Sequence, residues 1–172
     1  MILKAFKEKS NQKYINSLLN SRNVAITTKK IESVGVILNL NEFSDFEAFR
    51  IYFKSLGIQL PKIKTIAFVE DEKNADKLWD TFFSAKDIGW KGKIHSVDLQ
   101  TFIDTKFDAL ICFYKQNKLE TNLVTALSNA NFKIGLSHVD DRLYDFIIDL
   151  NTKQIEVFKV ELKKYLTVLK KI

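Results

Sequence analysis

Cys112 is the only cysteine in the chain, so no internal disulfide can form, and its setting in FDALICF marks it as a small buried hydrophobe rather than a nucleophile. No apolar run approaches the roughly 18 residues of a membrane span, and the opening MILKAFKEKSNQKY lacks the apolar core of a secretion signal. The chain therefore reads as cytoplasmic, with no membrane span. Histidine is confined to His95 and His138, and there is no P-loop, nucleophile elbow, zincin helix or paired CxxC. Neither a metal nor a cofactor is expected from such a sequence. Glycine is missing from the whole stretch between Gly35 and Gly57, where an apolar strand runs straight into a helix. A phosphate held there would meet side chains where close backbone approach is needed, which excludes the usual dinucleotide loop.

What is present suffices for one core. A length of 172 residues suits a single domain, and 46% hydrophobic with 28% charged residues excludes a wholly disordered chain. The 14 Phe fall mostly inside periodic segments and point to a Phe-rich core.

Residues 2–22 form a weak helical pattern, with Leu3, Phe6, Tyr14, Leu18 and Leu19 as its stripe, and 23–31 read as linker. SVGVILNL is a strand apolar on both faces. Ser44 with Glu47 forms a capping box for a helix carrying Phe46, Phe49, Tyr52 or Phe53, and Leu56, closed by Gly57. KTIAFVE is a second strand, Asn74 to Phe83 a second helix, and Val97 to Thr105 a brief one. FDALICFY, FKIGLS and DFIIDL supply three more strands, separated by a helix through Leu119, Leu123 and Leu127. A long amphipathic helix through Ile155, Phe158, Leu162, Leu166 and Leu169 ends the chain. Alternating strands and helices predict an α/β fold: a three-layer α/β/α sandwich on a mainly parallel five-stranded sheet, order near 2-1-3-4-5, flavodoxin-like or Rossmann-like. Residues 1–31 are expected as a basic N-terminal helical extension and linker, and 32–172 as the α/β domain.

In such folds ligands settle beyond the carboxyl ends of the strands. The candidate ligand-binding residues there are Glu70 in EDEK, Lys115 after the third strand, and His138, Asp140 and Arg142 in SHVDDR. None pairs with another at a diagnostic spacing, so no catalytic residue is assigned and the chain leans away from an enzyme.

Charge is more informative. Residues 1–30 carry seven basic side chains against Glu8, a net +6, and residues 152–172 carry six Lys against Glu156 and Glu161, a net +4. The body between them is mildly acidic. Candidate nucleic-acid contacts are therefore Lys4, Lys7, Lys9, Lys13, Arg22, Lys29 and Lys30 at one end and Lys163, Lys164, Lys170 and Lys171 at the other. The loop GWKGK adds Trp90, Lys91 and Lys93, an aromatic ring between cations.

The succession DIGWKGK, FDALICFY, LSNANFKIGL and DRLYDFIIDL resembles an uncharacterised family of small α/β proteins from Bacteroidetes bacteria. The resemblance implies the fold and a bacterial setting, and carries no activity. FDALICFY with LVTALSNANFKIGL is also similar to the sugar-nucleotide half of some two-domain glycosyltransferases, which implies shared topology only.

The leading expectation is a non-enzymatic, nucleic-acid-associated protein, ribosome-associated, gripping RNA phosphates through basic termini that form one continuous face. The alternatives are a protein or enzyme binding a nucleotide or sugar phosphate at the strand ends, a C-terminal helix lying on an acidic membrane, and a structural homodimer or other protein-binding module.

Overall fold

The computed structural model describes residues 1–24, 27–74, 81–136 and 140–172. Six parallel strands form one sheet: β1 (Val34–Asn39), β2 (Ile63–Phe68), β3 (Thr81–Phe83), β4 (Ala109–Phe113), β5 (Lys133–Gly135) and β6 (Phe146–Ile147). Their order is β3-β2-β1-β4-β5-β6, the doubly wound Rossmann order. Five α-helices accompany them among the described residues: α1 (Ile2–Asn20), α2 (Phe46–Ser55), α3 (Val97–Asp104), α4 (Leu119–Leu127) and α5 (Ile155–Val168). None is long and apolar enough to cross a membrane.

The sheet has six strands rather than the five expected, the added one falling where the sequence predicts a helix over 74–83. Residues 81–83 instead pair with Ile66 to Phe68 as the sheet's edge, and 75–80 lie outside the described residues. The β-propensity of Thr-Phe-Phe and an open edge on β2 outweigh the weak helical periodicity that Leu78, Trp79 and Phe82 suggested.

β1 is buried at every position, as its unbroken apolar run requires. Its side chains alternate between two apolar clusters. Val34, Val36 and Leu38 meet Phe46, Phe49 and Phe53 of α2 and Phe158, Leu162 and Leu166 of α5. Ile37 faces the other way, with Ile66, Leu110 and Cys112, toward Ile15 and Leu19 of α1, Leu99 and Ile103 of α3, and Leu123 and Val124 of α4. The phenylalanine surplus concentrates in the first cluster, where the Phe113 ring sits edge-on to Phe43, Phe49 and Phe158, each at a centroid distance of 5.0 Å. Gly35 is required where β1 passes Phe107, since a Cβ there would lie 2.7 Å from that ring.

Two local expectations change. The cap of α2 is Asp45 rather than Ser44: its carboxylate accepts from the Ala48 N–H at 3.0 Å, and Glu47 turns to Arg50 at 2.6 Å. A charged acceptor at the positive end of the helix wins over a hydroxyl. In α1, Leu3 and Phe6 are 75% and 58% exposed; Leu19 is the buried member of the predicted stripe, and Ile15, outside that stripe, is buried beside it. The inward face of α1 is half polar, which is why its periodicity reads weakly. Asn11, 1% exposed, donates to the Gly89 carbonyl at 3.0 Å and accepts from the Gly92 N–H at 2.9 Å. Lys7 reaches the carbonyl of Ile88 at 2.8 Å. Arg22 clamps the buried Asp145 at 2.6 and 2.7 Å, and Arg142 holds Asn16 and Asn20. Asn11→Ala strands a buried N–H and a carbonyl in the 89–92 turn, and is expected to destabilise the protein by about 2 kcal/mol in urea denaturation.

A polar seam runs through the second cluster. Cys112 Sγ lies 3.4 Å from Thr125 Oγ1, which is 2.8 Å from the Tyr114 hydroxyl, and Tyr144 donates to Tyr114 at 3.3 Å. Burial pushes the Cys112 thiol up to about 12, which leaves it unreactive. Lys133, buried at the start of β5, donates from Nζ to the Thr125 carbonyl at 2.7 Å. Burial first, and then the positive charge of Arg22, push its ammonium down to about 8 from 10.5. Between those pH values the unfolded chain holds a proton that the folded chain has released, so this residue makes stability rise with pH across that window. Lys133→Met is expected to abolish that rise, worth up to about 3 kcal/mol by linkage. The difference between wild-type and variant urea midpoints from pH 7 to pH 10 measures it directly.

Candidate nucleic-acid interface

The crevice where strand order reverses lies between the carboxyl ends of β1 and β4. The chain fills it with its own carboxylate. Glu42 accepts from the backbone N–H of Lys115 at 2.8 Å and of Gln116 at 3.0 Å, two consecutive amides of the kind that would otherwise cradle an anion. Buried Asn39 braces it, donating to Glu42 at 3.1 Å, and its Oδ1 accepts from the Asn41 N–H at 3.2 Å. Around this centre Lys118 pairs with Glu70, and Lys115 pairs with Asp149 at 2.6 Å. Hydrogen bonding and charge from Lys118 hold the Glu70 carboxyl below its ordinary range, outweighing desolvation.

Of the residues expected to bind a ligand here, Glu70 and Lys115 do stand at the crest, each engaged by a neighbour of opposite charge. Asp140 and Arg142 do not join them. They pair with each other at 2.7 Å beside α1, where hydrogen bonding from Arg142 lowers the Asp140 pKa. His138 lies outside the described residues. Glu42→Ala frees the two amides and is expected to cost about 1–2 kcal/mol in a urea melt, with Glu42→Gln recovering part of the loss through its remaining carbonyl.

The basic termini do not form one face across the sheet. α1 belongs to one apolar cluster and α5 to the other, so their outward lysines point to opposite sides of the molecule. Several are also occupied internally. Lys7 and Arg22 bolt α1 to the body, and Lys4 and Lys164 pair along their own helices with Glu8 and Glu161. Lys171, only 4% exposed, donates to the Thr27 carbonyl and lies 5.2 Å over the Phe132 ring. It is a buried strut rather than a surface contact, because the segment after α5 folds back on the linker. Lys9 and Lys13 stay exposed on α1, and Lys163 on α5.

The GWKGK loop is the docking platform of α1. Gly92, at φ 69°, has no room for a Cβ because Tyr14 would lie 2.5 Å from it, and Lys91 beside it is held at φ 51°. Trp90 remains 49% exposed, with Lys91 and Lys93 in solvent.

The two ends do meet at the amino edge of the sheet. The Ile31 N–H donates to the Lys171 carbonyl at 2.8 Å, which ties the linker to the segment after α5. Asp108, buried just before β4, gathers the linker: Lys29 Nζ at 2.9 Å, the N–H groups of Glu32 and Ser33 at 3.0 Å each, and the Ser33 hydroxyl at 3.0 Å. Burial by itself would raise the Asp108 pKa; the Lys29 bond and those amides bring it below its ordinary value. Beside this knot opens a cleft of about 370 Å³ on which Lys29, Lys62, Lys64 and Lys106 converge. Lys62, Lys64 and Lys106 were missed in the sequence because they lie in the acidic body. Their signal is positional: PKIK opens β2, TKFDA leads into β4, and a parallel sheet brings every strand start to one edge.

The chain matches DUF6913, a family of unknown function, over residues 7–169. It belongs to that family. No curated protein and no solved structure matches it. The DUF6913 match runs from the second turn of α1 to just past α5, so most of the first helix and all of the closing helix lie within it.

Proposed function

We propose that this DUF6913 protein is a non-enzymatic polyanion-binding protein of the cytoplasm that grips the phosphate backbone of RNA with the amino edge of its sheet. The observation that carries the reading is the convergence of Lys29, Lys62, Lys64 and Lys106 on one cleft, where they outnumber the two carboxylates that also line it, Glu32 and Asp108. Lysines drawn from the linker and from the starts of two strands can each meet a separate phosphate of an extended strand, and each contact releases a counterion. No ion pair joins Lys62, Lys64 or Lys106 to a carboxylate among the described residues. The side opposite, where an enzyme of this topology would bind its substrate, is occupied by Glu42 and its partners, which favours binding over catalysis. Association with the ribosome, the densest source of RNA phosphate in a cell, is the setting this surface fits.

Replacing Lys62, Lys64 and Lys106 together by Gln tests the assignment. Fluorescence anisotropy with a single-stranded RNA is expected to show weaker binding at every salt concentration, and a log–log salt slope shallower by about 2, since each phosphate contact contributes roughly 0.7. Unchanged affinity and slope in a variant that melts like the parent would remove the amino edge from the interface.

A further inference from the structure

A second cleft, of about 330 Å³, opens between the C-terminal end of α1 and the turn joining α4 to β5. Its volume is in the range of small-ligand sites. Two cations belong to it, Arg22 and Lys133, with one carboxylate close by, Asp145. That carboxylate is already committed: Asp145 accepts twice from Arg22, and its Oδ2 also accepts the backbone N–H of Lys133 at 2.7 Å. Nothing from Asp145 reaches the Lys133 ammonium, whose three protons find one acceptor among the described residues, the Thr125 carbonyl. Lys133 is nonetheless 3% exposed. A buried ammonium with one acceptor, next to a guanidinium and short of one negative charge, is costly to fold and is what a site awaiting an anion looks like. The side chains of Ser128, Asn129 and Asn131 line the same cleft and add hydroxyl and amide donors.

We infer that this cleft binds a small oxyanion, a phosphate monoester or a carboxylate, received by the Lys133 ammonium and the Arg22 guanidinium with the amides of Asn129 and Asn131 at the rim. The site is independent of the lysine-lined amino edge and shares no residue with it. Bound anion stabilises the charged form of Lys133. The other titratable groups facing that ammonium are Arg22 just after α1, Cys112 from β4 and Asp145 ahead of β6.

The test follows Lys133 by NMR in full-length protein labelled with [13Cε]lysine, its resonance assigned by its absence in Lys133→Met. Without ligand the resonance is expected to titrate near pH 8. At roughly ten times the dissociation constant, an anion that binds only the charged form moves that midpoint up by about one unit. Inorganic phosphate and acetate are added separately: a shift with phosphate assigns a phosphoryl ligand, and a shift with acetate alone assigns a carboxylate. Asn131→Ala is expected to leave the ligand-free midpoint in place and to reduce the shift at a fixed anion concentration. The Lys62, Lys64 and Lys106 triple Gln variant is expected to keep the full shift. No movement of the midpoint with either anion overturns the inference, as does a shift that disappears in the triple variant.

Discussion

All six strands point the same way, and that polarity governs the rest of the molecule. A parallel sheet has two chemically different edges, one gathering strand starts and the other strand ends. Crossover helices must return over the faces, so the apolar surface is buried above and below and the two edges are left to carry chemistry. In this chain the carboxyl edge is closed with its own carboxylate, and the amino edge collects lysines.

The closure at the carboxyl edge explains how the fold dispenses with a glycine loop. Consecutive amides at Lys115 and Gln116 need an acceptor whether or not a ligand is bound. Glu42 supplies one from the first β–α connection, where dinucleotide-binding proteins of this topology keep glycine. Once a side chain fills the crevice, close backbone approach is no longer needed, and Asn39, Asn41 and Glu42 can occupy the turn. The same economy appears in α1, where Asn11, Lys7 and Arg22 replace apolar contacts with hydrogen bonds to carbonyls and a buried carboxylate. Such a helix docks specifically while looking unremarkable in hydrophobic periodicity, since each polar anchor removes one apolar position from its stripe.

The seam through Cys112, Thr125, Tyr114, Tyr144 and Lys133 lies between these edges and under α4. Its hydroxyls satisfy one another, so they can remain buried at little cost, whereas the single ammonium is under-satisfied. One face of the sheet is therefore a closed aromatic core around Phe113, and the other is a polar-threaded core with a charged residue near its surface.

Sequence alone determined the alternation of strands and helices, the double burial of β1, the Phe-rich core, the boundaries of α3 and α5 within a residue or two, and the absence of a phosphate loop. These depend on local periodicity and on residue types, which short segments express by themselves. It could not reveal β3, because three residues pair only when β2 offers an open edge. Nor could it tell which lysines share a surface: charge counted along the chain groups Lys7, Arg22 and Lys171 with the exposed lysines, though all three are engaged within the fold, and passes over Lys62, Lys64 and Lys106, which line one cleft. That assignment depends on direction and register across the sheet, which bring residues some thirty to eighty positions apart to one edge and turn others of the same type inward, and only the folded chain fixes those distances.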